Sequence, residues 1–379
     1  MDWSMLCPCS LWRFFCYSIP LALLMQSSAW GSSITGFGSG FSPTADFQGE
    51  MDSNLSGGAA LGSTGTAYFQ GGLSWSSHQA GFWNGGRFVT TYLAVITGQP
   101  DRYVGDIQGV SGLTAPYNVS RIYKLYYRQT TGPVTVRGGL MNANDYFDDA
   151  GLACDLFNAS YGTFANWSQN LEGSSTYPFS SLGAMVALGS KGTTLLAGVF
   201  GADAQYPWQQ PFDRGSLSLV ELDQSGSLGI GHYTLKVGGF HNQQKSDLAV
   251  TLGPTTSGFY GIGEYRWEMN DYHYGAFLVD GGAPDPINPV PWYVGSGLKL
   301  AGYFADEPED ALSIGFSRAS LRGLPHAETS YEVTSTFRIT SGVSIQPDLQ
   351  VVMHPGGNLP TALVGIIRIT MNLVKVARS

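Results

Sequence analysis

Charge is scarce in this chain. Asp, Glu, Lys and Arg make up 12% of its 379 residues, against roughly 25% in an ordinary soluble domain. Hydrophobic residues still reach only 43%. The charged coat of a large soluble globule is therefore missing. Positive charge is the scarcer kind: 19 Lys and Arg stand against 28 Asp and Glu, a net charge of -9. That argues against a nucleic-acid partner, which needs a basic face. Cysteine is nearly absent, with Cys7, Cys9, Cys16 and Cys154. The first three lie in a segment expected to be removed, so one thiol remains. One thiol supports neither a disulfide framework nor a cysteine-rich metal site.

Long apolar runs are missing too, beyond Phe14–Met25 near the start. That run follows Arg13 and precedes the small residues Ser27-Ser28-Ala29. It falls short of the roughly 20 residues that span a bilayer. Residues 1–29 therefore read as a secretory signal. Residues 30–43, containing Gly36-Phe37-Gly38-Ser39-Gly40, read as a flexible lead-in. Residues 44–379 are expected to form a single domain.

What the chain does have is glycine (51), tyrosine (20), phenylalanine (20) and tryptophan (9). It also has a period-2 pattern. No amphipathic pattern of helical length stands out. Segments of 8–14 residues alternate in polarity between clusters of Gly, Pro, Asn, Asp and Ser. In Arg121–Arg128, the Tyr123, Leu125 and Tyr127 side chains are expected on one face and Lys124 and Arg128 on the other. In Tyr331–Ile339, Tyr331, Val333, Phe337 and Ile339 oppose Glu332, Thr334, Thr336 and Arg338. In Gly258–Met269, Glu264, Arg266 and Glu268 oppose Tyr265, Trp267 and Met269.

A soluble sandwich and a membrane barrel share this alternation, but strand length separates them. Many segments run about 10 residues, the length that crosses a bilayer when tilted; soluble strands average about 5–6. Sixteen strands are expected from residue 44 onward. An even number suits closure of a bacterial outer-membrane barrel. The expected fold is all-β, a transmembrane antiparallel β-barrel of about 16 strands. Its longest connection, 143–181, carries Asp145, Asp148, Asp149, Phe157, Phe164, Trp167 and Tyr177. A connection this long and this aromatic is usually functional, and it is expected to fold inward.

Several stretches resemble the OprB-type carbohydrate-selective porins. The strongest is Ser344–Asn358, SIQPDLQVVMHPGGN, followed by the strand Ala362–Met371. Others are Arg102–Ser111, the RIYKLYY strand, Leu140–Phe147 and Leu156–Gly162. The resemblance covers roughly residues 42–373. It implies passive diffusion of glucose-like sugars through an outer-membrane barrel. The chain departs from the family where it ends Val376-Ala377-Arg378-Ser379, without a terminal aromatic. It departs again where Lys124 and Arg128 occupy a strand face that is commonly acidic or neutral in the family.

A passive pore needs a narrow, polar, water-filled path, with weak sites that replace a solute's hydration. Alternation nominates Lys124, Arg128, Arg137, Glu264, Arg266, Glu268, Glu332, Arg338, Gln346, Asp348, Gln350 and Arg368 as lumen residues. Two or more of Lys124, Arg128, Arg137, Arg266 and Arg338 are expected at the narrowest part, with Asp145, Asp148 and Trp167 from the loop. The expected partners are small sugars and outer-membrane lipids. No cofactor, metal site or catalytic centre is expected: the six histidines are scattered, and no Ser-His-Asp arrangement is readable. Two alternatives stay open at this point. One is a porin of the same fold for other solutes. The other is a secreted soluble all-β protein that binds or processes sugars.

Overall fold

The computed structural model describes residues 39–374, apart from 172, 210, 245–254, 271 and 304–309. The expected export signal at 1–29 and residues 376–379 lie outside the described residues, as does most of the expected lead-in. Residues 41–43 are already strand. Phe41 pairs with Trp75 on the next strand, their rings 6.5 Å apart, so an aromatic contact holds the chain where flexibility was expected.

Among the described residues sixteen antiparallel strands close into one barrel, each pairing with its sequence neighbours and the first with the last. They are β1 (Phe41–Ser56), β2 (Gly62–Ser76), β3 (Gly86–Ile96), β4 (Val119–Thr131), β5 (Val134–Met141), β6 (Ser181–Ser190), β7 (Thr193–Gly201) and β8 (Gly215–Leu228). The second half is β9 (Gly231–Gln244), β10 (Thr255–Met269), β11 (Tyr272–Gly282), β12 (Trp292–Ala301), β13 (Ala311–Ala319), β14 (Glu328–Thr340), β15 (Val343–Met353) and β16 (Ala362–Asn372). Closure removes every sheet edge, so each strand finds its backbone partners within the wall.

The outer wall is apolar. Leu125, Val136, Val186, Leu222, Val237, Leu278, Leu298, Ile314, Val333, Leu349 and Ile367 are each exposed there. Exposed aliphatics around a closed barrel are what lipid contact requires and what a soluble protein avoids. Leu278 lies midway along β11 and is 58% exposed. Replacing it by arginine should cost about 2–4 kcal/mol, the penalty for a midplane cation on a barrel. A urea titration of the liposome-folded barrel reads this directly; an unchanged midpoint would remove that wall from the lipid.

The two ends of the barrel differ. The end where β1 begins has tight turns such as 132–133, 191–192 and 341–342. The other end carries the connections 97–118 and 142–180. Short turns face the periplasm in bacterial barrels. The long connections then belong to the outside, and two of them fold back into the barrel.

One alternation is broken. Thr91 pairs with Lys124 but Tyr92 pairs with Ile122, so Tyr123 is an extra residue on β4. This β-bulge turns Tyr123 inward beside Lys124, where it is 3% exposed and accepts a hydrogen bond from Asn142 at 2.6 Å. Ile122 takes the outer face instead. The expected grouping of Tyr123 with Leu125 and Tyr127 is therefore corrected: an inserted residue shifts the phase of a strand.

Candidate permeation site

The inward connection 142–180 is built from short helical turns: Ala143–Asp145, Ala153–Asp155, Ala159–Tyr161 and Ala165–Ser168. Asn142 and Asn158 cap two of them by accepting from the backbone N–H two residues on. Such short turns leave backbone donors unsatisfied, and carboxyls from the barrel wall accept several of them. Glu221 on β8 accepts from the Asp148 N–H at 3.1 Å. Glu264 on β10 accepts from the Leu152 N–H at 2.5 Å. Glu332 on β14 accepts from both Phe157 and Asn158, the latter at 3.1 Å.

Cations and amides extend the attachment. Lys236 donates to the Asp149 carbonyl at 2.7 Å, and Gln346 to the Asp155 carbonyl at 2.7 Å. Lys299 pairs with Asp155 at 2.5 Å. Arg368 lies 3.8 Å over the Phe157 ring while pairing with Glu50 at 2.6 Å. Under the loop, Phe147, Phe164, Trp167 and Tyr161 form one apolar core with Met185, Phe200, Leu217, Phe240, Tyr260 and Phe277 of the wall.

The second inward connection, 97–118, is held in the same way. Glu328 accepts from Ile107 and Gln108, both at 2.8 Å. Gln350 donates to the Val110 carbonyl at 2.8 Å, and Ser111 donates to Glu50.

These contacts divide the nominated residues. Glu264, Glu332, Asp348 and Gln350 are buried beneath the two loops. Asp148 and Trp167 are 0% exposed, inside the loop's own core. Trp167 donates to the Ser174 hydroxyl at 3.1 Å. Asp148 accepts from the Phe164 N–H at 3.0 Å, and burial pushes its carboxyl well above the usual carboxylate range. Both residues lie away from the aqueous face assigned to them from sequence, because the loop needs an interior of its own. Arg266 pairs with Glu264 at 2.9 Å, while Glu268 is exposed nearer the turn. Arg338 donates to the carbonyls of Thr340 and Ser341 beside the β14–β15 turn.

The remaining nominees converge elsewhere. Lys124 and Arg128 on β4 and Arg137 on β5 share one inner face and are each half-buried. Lys124 pairs with Asp145 of the loop at 2.5 Å, and Arg137 lies 4.8 Å over the Tyr146 ring. Arg87, which sequence reasoning missed, pairs directly with Arg128 across β3 and β4. Arg128 in turn pairs with Arg137. Arg87 had a usable signal, since it alternates in phase with the inward Val89 and Thr91. Glu50, Glu221 and Glu328 were missed as well. Nothing local distinguishes an acid that clamps a loop from one that meets water.

A closed sixteen-stranded barrel with an apolar outer wall and two loops drawn into its lumen defines a porin of the bacterial outer membrane. The comparisons with known proteins are narrower still. The model of the carbohydrate-selective porin, OprB family, matches residues 39–373, and the chain belongs to that family. Among solved structures, Pseudomonas putida OprB at high pH superposes with a TM-score of 0.76 at 17% identity, over 88% of this chain and 94% of that one. Its low-pH structure gives 0.58 at 15% identity, over 88% and 92%. An engineered variant of Rh. blastica porin gives 0.52 at 11% identity, over 88% and 99%. No curated protein matches at a significant level. The fold and family make this chain a channel, and they set aside the soluble alternative.

Proposed function

We propose that small sugars cross this barrel passively between the inward loop 142–180 and the inner wall of β1–β5. One observation carries the reading: most of the loop's apolar core packs against β6–β12, while Gln48, Gln70, Arg128 and Arg137 on the inner face of β1–β5 stay only half-buried. That face offers Gln48, Gln70, Lys124, Arg128 and Arg137 as hydrogen-bonding groups, with Tyr126 of the wall and Tyr146 of the loop beside them. Sugars present hydroxyls at their edges and CH patches on their faces. A path with both donors and rings replaces part of their hydration without holding them tightly. No step of such passage calls for a catalytic group or a cofactor, and the concentration gradient sets the direction.

The test is planar-bilayer conductance with and without glucose, alongside liposome swelling. Glucose should enter and should also reduce ion current. Arg137→Ala should weaken that reduction by roughly tenfold, since one hydrogen bond to a charged group is worth about 1.5–3 kcal/mol. Conductance that ignores glucose in the native channel would favour a porin for other solutes.

A further inference from the structure

Arg87, Arg128 and Arg137 stand side by side on three adjacent strands, each directly opposite the next. Like charges placed opposite one another weaken a sheet, so placing the three side by side does not stabilise the wall. Carboxylates would normally offset it. Among the described residues none of the three forms an ion pair. The nearby loop carboxyl, Asp145, is occupied by Lys124 at 2.5 Å. Among the described residues Arg87 donates to the Ser74 hydroxyl, at 2.7 Å. The Nε atoms of Arg87 and Arg128 and the Thr91 hydroxyl are buried without any partner.

A cavity of about 240 Å³ opens at the same place. Ser42, Thr44, Ser74, Arg87, Tyr126 and Arg128 are among its lining. It is smaller than the roughly 300–1,000 Å³ typical of drug-sized ligands, which suits a single monosaccharide unit. Its chemistry is uneven. Hydroxyls and a ring suit a polyol, whereas a guanidinium fork matches a carboxylate.

We propose that this row is a weak site for the anionic group of an acidic monosaccharide, so that the channel favours sugar acids over neutral sugars of the same size. The inference rests on the sugar-passage reading and specifies its substrate class. The chain's net charge of -9 would by itself discourage anions. The arginine row reverses that locally, because fields are focused inside a low-dielectric channel.

The experiment compares glucuronate with glucose, which differ by one carboxylate, on the full-length protein in planar bilayers. Half-maximal reduction of ion current should need about tenfold less glucuronate than glucose, as one bidentate charged contact would give. The zero-current potential in a KCl gradient should show preference for chloride. The double variant Arg128→Gln with Arg137→Gln should lose most of the glucuronate preference and most of the chloride preference. Arg128→Lys should keep the charge and lose part of the preference, which separates bidentate recognition from charge alone. Heat-modifiability on a gel checks that each variant forms a barrel; if the double variant does not, the native ratio and Arg128→Lys decide. Equal half-maximal concentrations in the native channel, or an unchanged ratio in the variants, overturn the proposal. Glucose passage then still stands. A native channel that responds to neither sugar and admits neither overturns the sugar-passage reading as well.

Discussion

Replacing Glu332 by alanine should widen the channel several-fold in conductance and abolish its discrimination between sugars. Glu332 is 4% exposed, and its carboxyl accepts from the backbone N–H groups of Phe157 and Asn158. These two donors sit at the far reach of the loop, on the opposite side of the lumen from its origin on β5. Without the carboxyl both are stranded in a dry environment, at roughly 1–3 kcal/mol each. Undocking exposes them to channel water and relieves that cost, so the docked arrangement loses its advantage. The aromatic core of the loop resists, but Leu156 and Phe157 must leave with the backbone that carries them. The barrel itself should not suffer. Glu332 takes part in the ladder through its backbone, pairing with Gln350 and Gly315, and alanine keeps those bonds. The readouts are therefore separable: single-channel conductance rises, the glucose effect on current disappears, and heat-modifiability is retained. Conductance within experimental error of the native channel would show that this clamp is dispensable.

The difference between wall and loop also explains what the sequence made legible. A strand reveals itself locally. Tyr331, Val333, Phe337 and Ile339 alternate with Glu332, Thr334, Thr336 and Arg338, and the pairing of β14 with its neighbours follows that alternation. The expected count of sixteen strands matches the barrel for this reason. The phase fails only where geometry is not periodic, as at the Tyr123 bulge. The site is different, because it is made by contacts that are remote along the chain. Glu332 meets Phe157, Glu264 meets Leu152, and Glu221 meets Asp148. Inward orientation was therefore inferable for Glu264 and Glu332, but their burial beneath a loop was not. Trp167 was expected at the narrowest part of the lumen, yet it packs against Phe240 with their rings 5.8 Å apart. The resemblance carried the family, since its SIQPDLQVVMHPGGN stretch is a sequence signature rather than a fold property. It said nothing about which acids would be clamps, or that Arg87 would complete a row with Arg128 and Arg137.

Gly281→Val should open the channel by a second route, through the bed on which the loop rests. Four inward glycines, Gly275, Gly281, Gly295 and Gly315, lie on β11–β13 under the loop. A Cβ at Gly281 would stand 2.4 Å from Asn166 Oδ1 and 2.7 Å from its Cγ. A Cβ at Gly315 would stand 2.6 Å from both Leu156 Cδ1 and the Tyr161 hydroxyl. Asn166 cannot easily turn away, since its Nδ2 donates to the Phe259 carbonyl at 3.3 Å and its own residue is 1% exposed. Valine itself suits a strand better than glycine does, so the wall should tolerate it. The strain falls on the loop, at about 1–3 kcal/mol for overpacking a filled interior. Raising the loop turn Ala165–Ser168 also pulls Asn170 from Val290, where two hydrogen bonds of 2.7 and 3.0 Å now tie it. Conductance should rise, and protease added from outside should cut within residues 160–175 of the variant but not of the native channel. Gly281→Ser adds a smaller side chain at the same position and should give an intermediate conductance. If Gly281→Val instead conducts and resists protease like the native channel, the glycines are not what brings the loop close to the wall, and the carboxyl clamps must hold it alone.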